Sequence, residues 1–316
     1  MRIVVAGSGH LGSSVLAPLL ESSHEVVGIV QNGRELRGWR RVCSTAMLSR
    51  LGGGNSMLRW AARRHLPVIW IDKMTGDELL PLRALEPDIL LVSGFSIILK
   101  APLLRLPRVG CVNMHSSLLP RHRGPNPFAA AILAGDTQTG ITFHVMDEGI
   151  DTGDILEQAA FDIGENSTMV SVYRQACELA SERVVPLMDR IERDGLRGTP
   201  QDPAQASYDK KPKVEDAQID WAAPAEHIER RVRALSPATM PWFMYKGRKI
   251  SIARADYDNA PVEAAPGTVL EARPPARIAT GAGTVRLRIA YIRVPFPWLW
   301  PAPWSRPKKG ERLGGP

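Results

Sequence analysis

Through the first two-thirds of the chain, short unbroken apolar runs alternate with segments of helical spacing. RIVVA (2–6), EVVGIV (25–30), PVIWI (67–71) and DILLVSG (88–94) have strand length and are apolar enough for strands covered on both sides. GCVNMH (110–115), GITFHVM (140–146) and ILEQAAF (155–161) read as three more strands. A helix is predicted over Ser13–Ser22, and residues 34–65 read as a basic, helical stretch broken at Gly52-Gly53-Gly54. A long helix is predicted over Thr168–Asp194, where Val172, Ala176, Leu179, Val184, Leu187 and Ile191 recur near helical spacing. The alternation predicts an α/β fold, a mostly parallel sheet with helices on both faces.

Beyond residue 195 the pattern changes. LRGTPQDPAQASYDKKPKVE (196–215) is polar and proline-bearing, as a linker is. PAEHIERRVRAL (224–235) is one amphipathic helix, and WFMYKG, RKISIARA, GTVLEAR, ARIATG and TVRLRIAYIR are short strands set off by glycine and proline. They predict a small antiparallel sheet or barrel. The tail IRVPFPWLWPAPW brings Phe296, Trp298, Trp300 and Trp304 among four prolines, which forbid a helix there. Packing on the barrel or on a second protomer, or an aromatic platform facing a partner, are the roles it suggests.

Composition adds bounds. The 316 residues suffice for one large and one small domain, and 44% hydrophobic with 23% charged residues is globular. A net charge of +7 permits a polyanionic partner without requiring one. Cys43, Cys111 and Cys177 are far apart and form neither a disulfide framework nor a zinc knuckle. The opening MRIVVAG is too short an apolar run for a secretory or membrane segment. A cytoplasmic protein without membrane contact is the expectation, its oligomeric state left open with a monomer among the options.

Gly7-Ser8-Gly9-His10-Leu11-Gly12 matches the G-x-G-x-x-G pattern of dinucleotide sites. Such sites also place an acid at the end of the second strand to hold the ribose, and here that strand ends in Gln31-Asn32. No NAD is therefore expected, and the glycines read as a tight strand-to-helix turn.

The chemistry concentrates in VNMHSSLLPRHRGPNP (112–127) and DEGIDTGDIL (147–156). On a strand, Asn113 and His115 project to the same side. An amide beside an imidazole forms an oxyanion-stabilising and proton-handling pair, and Asp151 orients the imidazole if the next strand runs parallel. A satisfied core histidine and a solvated acidic turn are the plainer alternatives. His122 and His144 suggest a metal cluster with His115 and Asp151, but no H-E-x-x-H or cysteine pair supports one, and no metal is expected.

These segments resemble the folate-dependent formyltransferases, methionyl-tRNA formyltransferases most closely. The likeness lies in Asn113-Met-His115-Ser-Ser-Leu-Leu-Pro120-Arg-His-Arg123-Gly124, Gly140-Ile-Thr142 and Asp147-Glu-Gly149-Ile-Asp151-Thr-Gly153-Asp154. It continues through Glu215–Trp221, Arg230–Leu235 and Pro266–Leu270, covering about residues 1–290. It implies a Rossmann-like catalytic domain over 1–203, a linker over 204–214 and a small open, OB-like barrel over 215–316.

The resemblance further implies 10-formyltetrahydrofolate as co-substrate and formyl transfer to a primary amine, first to methionyl-initiator tRNA. Asn113 and His115 match the positions that stabilise the tetrahedral intermediate, and Asp151 the carboxylate that orients the histidine and assists proton removal. Folate is expected against Ser93, Gly94, Phe95, Ser96 and Ile97, against Ser116, Leu119 and Pro120, and against Met146, Asp147 and Gly149. The acceptor is expected near His10, Arg40, Arg41 and Arg123. Basic residues Arg34, Arg37, Arg50, Arg59, Arg63 and Arg64, with Trp39 and Trp60 among them, suit RNA contact or a solvated face equally. The alternatives are a sugar-nucleotide amine or hydroxyornithine as acceptor, hydrolysis of the donor by water, and a non-catalytic folate or nucleotide sensor.

Overall fold

In the computed structural model, residues 1–34, 56–273, 275–292 and 307–313 are described. Seven strands form one sheet: β1 (Arg2–Gly7), β2 (Glu25–Asn32), β3 (Val68–Ile71), β4 (Ile89–Ser93), β5 (Gly110–His115), β6 (Gln138–Val145) and β7 (Ile155–Asp162), in the order β3-β2-β1-β4-β5-β6-β7. The pairings from β3 across to β5 are parallel. β6 runs antiparallel to β5, with Asn113 opposite His144 and His115 opposite Thr142. That corrects the parallel neighbours on which Asp151 was expected to reach the site.

Among the described residues, six helices accompany this sheet in the chain. They are α1 (Gly9–Leu20), α2 (Ser56–Arg64), α3 (Gly76–Arg83), α4 (Ala101–Leu104) and, after a short α5 (Pro127–Ala134), the long α6 (Met169–Asp194). α1 starts four residues before the expected helix, directly after the glycine turn. α3, α4 and α5 were not foreseen, since each is short and carries a proline. Alternation along β1 sends Val4 and Ala6 into a core with Leu79 and Leu82 of α3, and the fully buried Ile3 and Val5 to the opposite face. The sheet is thus covered on both sides, as its continuous apolar strands require.

The chain forms two compact units. One comprises Met1–Pro127, Thr139–Phe161 and Tyr173–Asp209, and the other Phe128–Gln138, Asp162–Val172 and Lys210–Pro316. In the second unit, β8 (Trp242–Tyr245), β9 (Arg248–Asp258), β10 (Val269–Glu271), β11 (Ala276–Ala279) and β12 (Thr284–Ile292) form an antiparallel sheet ordered β10-β11-β12-β9-β8. Register shifts between β12 and β9 near Leu287 curl it into an open half-barrel. α7 (Ala225–Leu235) lays Ile228 and Val232 into its core beside Trp221 and Phe243, whose rings meet edge to face at 5.4 Å. Among the described residues no helix is long and apolar enough to cross a membrane. The expected aromatic tail over 295–304 lies outside the described residues.

The glycine motif resolves into a packed turn. A Cβ on Gly12 would stand 2.3 Å from Met57 Sδ, so the missing side chain is what lets α2 approach α1. Tyr173 of α6 reaches over the start of α1, and its hydroxyl accepts the Leu11 N–H at 2.9 Å. The amide that an anionic ligand would seek at this helix N-terminus is already taken by a phenol.

Candidate active site

β5 presents Asn113 and His115 on one side, two residues apart as on any strand. Because β6 is antiparallel, the chain leaves it beside the start of β5 and must fold back to deliver Asp151. It does so in a loop pinned by Met146 N–H to Cys111 C=O at 2.9 Å and Val145 N–H to Asp154 C=O at 2.9 Å. Asp151 itself adopts φ 55°, a left-handed conformation that aspartate tolerates better than most residues. The Gln201 amide holds it there by donating to the Asp151 and Gly153 carbonyls at 2.9 and 2.7 Å.

Three side chains converge on one oxygen, Asp151 Oδ1. Asn113 Nδ2 lies 3.4 Å away, His115 Nδ1 3.5 Å and His144 Nε2 3.5 Å. The other carboxylate oxygen accepts the Gly124 N–H at 2.9 Å. His115 Nε2 lies 2.9 Å from the His122 carbonyl and so carries its hydrogen there, leaving the Nδ1 lone pair toward Asp151. His144 Nδ1 lies 2.8 Å from the Val145 carbonyl, and its Nε2 stands 3.1 Å from Asn113 Nδ2 as well as 3.5 Å from Asp151 Oδ1. His144 is thus a site residue that the sequence reading weighed only for metal. The signal was the register: an antiparallel β6 puts it directly across from Asn113.

Electrostatics divide the roles. Burial pushes the His115 imidazole below its usual range, only partly offset by the Asp151 charge and the His122 carbonyl. Burial acts to raise Asp151, yet the His144 hydrogen bond, the His115 charge and the Gly124 amide together hold it below the usual carboxylate range. The site therefore holds a neutral imidazole beside an ionised carboxylate near pH 7, a base with a charge placed to stabilise its protonated form.

Other expected residues fall into distinct places. Ser93 is fully buried and donates its hydroxyl to the Leu11 carbonyl, and Ile97 and Leu119 are buried in the core. Gly94 takes φ 65° beside Leu11, Phe95 and Met146 are half-buried against the core, and exposed Ser96 accepts from Asn32 Nδ2 at 2.6 Å. Ser116 is buried, and half-buried Pro120 follows Leu119 in a cis peptide. Asp147 accepts from Gly149 N–H at 3.0 Å and Thr152 Oγ1 at 2.6 Å, which shapes the acidic turn.

Of the expected acceptor contacts, Arg123 faces inward and His10 falls in different surroundings. Arg123 is 4% exposed, forks onto Gln201 Oε1 at 3.2 and 2.7 Å and donates to Tyr208 Oη at 2.6 Å, so it is an internal tie. His10 is exposed on α1 and opens onto a groove of about 560 Å³ with Trp60, Glu178 and Glu182, whose carboxylates disfavour a phosphate backbone. Arg34 pairs with Asp72 at 3.0 Å and Arg64 with Glu21, while Arg37, Arg40, Arg41, Arg50 and Trp39 lie outside the described residues. His122 turns its Nδ1 to Asp209 Oδ2 at 2.7 Å. No group of three or more histidine, cysteine or acidic side chains suited to a metal occurs among the described residues.

Residues 1–187 match the family model "Formyl transferase", and residues 211–293 match "Formyl transferase, C-terminal domain". The chain belongs to the formyltransferase family. A methionyl-tRNA formyltransferase of Marinobacter nauticus is 32% identical over 294 residues, 92% of each chain. Among solved structures, an N-formyltransferase from Helicobacter canadensis in complex with folinic acid and dTDP-3-aminofucose superposes with a TM-score of 0.67. It is 19% identical and is matched over 91% of this chain and 98% of its own. A methionyl-tRNA formyltransferase from Clostridium thermocellum gives 0.52 at 17% identity, over 90% and 100%. The family makes this chain an enzyme of formyl transfer, and the two structures share its fold.

Proposed function

We propose that the protein moves the formyl group of 10-formyltetrahydrofolate to a primary amine, with methionyl-initiator tRNA as its acceptor. The observation that carries the chemistry is the convergence of Asn113, His115 and His144 on Asp151, in a chain whose family transfers formyl groups.

In this reading the amine nitrogen attacks the formyl carbon and the C=O electrons move onto oxygen. Asn113 supplies N–H density to that oxyanion. His115 Nδ1 takes the proton leaving the amine, and the Asp151 charge stabilises the imidazolium. Collapse breaks the bond from carbon to the folate nitrogen, which takes the proton back from His115. Folate lies along Gly94–Ser96 and Ser116–Pro120, at the carboxyl ends of β4 and β5 where open α/β sheets bind ligands, and along the backbone of 146–151 as it folds back to deliver Asp151.

The tRNA acceptor is supported by the relative that is similar across 92% of both chains, and by a second domain matched over 211–293. A sugar-nucleotide amine is the second reading, favoured by the similarity to the Helicobacter enzyme. Labelled donor offered with charged initiator tRNA, amino-sugar nucleotides, hydroxyornithine and water decides among them. Label in the tRNA fraction is the expected result; label in another product assigns that acceptor instead.

A further inference from the structure

We propose that Ser207–Asp209 is a positioning strap for both catalytic partners, with Asp209 its lock and the His122–Asp209 pair acting through the His122 carbonyl on His115. The inference rests on the formyl-transfer reading for its kinetic part only.

The strap lies across the loop that follows β5. Arg123 N–H donates to Ser207 C=O at 2.9 Å, and Asp209 N–H donates back to Arg123 C=O at 2.9 Å. His122 N–H donates to Ser207 Oγ at 2.8 Å, and its imidazole Nδ1 meets Asp209 Oδ2 at 2.7 Å. These bonds hold His122 at φ 58°, a conformation a non-glycine residue keeps only when its surroundings impose it.

Each end of the clamped loop then touches one catalytic group. The His122 carbonyl, fixed by that backbone twist, accepts His115 Nε2–H at 2.9 Å and so selects the form with Nδ1 open toward Asp151. Two residues on, Gly124 has φ 118°, and a Cβ there would stand 2.5 Å from the Asp209 carbonyl, so the strap lies directly on it. The Gly124 N–H is the donor to Asp151 Oδ2 at 2.9 Å. One short segment, more than fifty residues from Asp151 in sequence, therefore reaches His115 in two hydrogen bonds through His122 and Asp151 in two through the Arg123–Gly124 peptide. Asp209 touches no reacting atom and is a positioning residue.

The test compares Asp209→Ala, Asp209→Asn and Ser207→Ala in the full chain, by steady-state kinetics and by ¹⁵N NMR of the His115 ring. Asparagine still accepts from His122 Nδ1–H, so Asp209→Asn is expected within about threefold of wild-type kcat and with the wild-type ring spectrum. Asp209→Ala is expected to lose kcat about 10- to 100-fold with the donor KM within about twofold, and to lose the single Nε2–H form of His115. Ser207→Ala, the milder variant, is expected to lower kcat a few fold in the same direction. If the alanine variant fails to fold, Ser207→Ala with wild-type kcat and spectrum overturns the proposal. So does an alanine variant that melts earlier yet keeps kcat and spectrum, or alanine and asparagine variants that behave alike. A wild-type protein that consumes no donor with any acceptor would overturn the formyl-transfer reading, and the ring spectra would still decide the strap.

Discussion

His115 Nδ1 faces Asp151 Oδ1 at 3.5 Å while the opposite ring nitrogen is held by the His122 carbonyl at 2.9 Å, so the imidazole offers a lone pair where the carboxylate can stabilise a proton. Burial keeps that imidazole neutral until below its usual pKa of about 6.5.

Activity should follow. We expect kcat/KM to fall on acidification with a midpoint below about 6.5, as His115 is protonated before it can accept the amine proton. Asp151→Asn removes the charge that favours the imidazolium, so its residual activity should show the acid limb at lower pH still. An acid limb that stays in place in the variant would argue against this pairing.

Stability carries the same signature with a defined sign. The folded pKa of His115 is depressed, so between that value and about 6.5 the unfolded chain binds more protons, and stability falls as pH drops through this window. Asp151, depressed below about 3.8, contributes stability above that value and loses it as pH falls through its folded pKa. Urea denaturation of wild type and His115→Asn from pH 7.5 to 5 should give a flatter pH dependence in the variant.

Asn113→Ala should stay folded and lose about 10²–10³ in kcat, the usual cost of an oxyanion donor. Circular dichroism and saturating-substrate rates measure the two parts separately. His144→Ala, which leaves Asn113 Nδ2 without its 3.1 Å partner, should lose less, on the order of tenfold, with His144→Gln recovering most of it.

Much of the fold was legible because strands buried on both sides are continuous apolar runs, which located the central strands, while the edge strand β7, half-buried and exposed in turn, was read from the short segment ILEQAAF. Strand direction is different: the residues of β6 suit either direction, so the antiparallel turn-back, and with it the place of His144, could not be read. Asn113, His115 and Asp151 were legible as a group because two lie on one strand and the third sits in an acidic glycine loop. Arg123 looked like a cleft residue because its partners, Gln201 and Tyr208, lie 78 and 85 residues away. The glycine motif read as a turn for the right reason, but nothing local revealed that Tyr173 would occupy its first free amide.

Tyr173→Phe removes the hydroxyl, which meets Cys177 and the His10 amide as well. It leaves the Leu11 N–H without its phenol, and equilibrium unfolding should show a loss of about 1 kcal/mol. Tryptophan fluorescence should show no saturable NAD binding by wild type, whose turn lacks an acid to hold the ribose.

The most direct measurement is a single-turnover assay with formyl-labelled 10-formyltetrahydrofolate and charged initiator tRNA, run with wild type and with Asp151→Asn. We expect wild type to pass its label to the methionyl amine, and the variant to be slower by at least about two orders of magnitude with donor binding retained. Equal rates in the two proteins, or donor that binds wild type and is never transferred to any amine, would contradict the account.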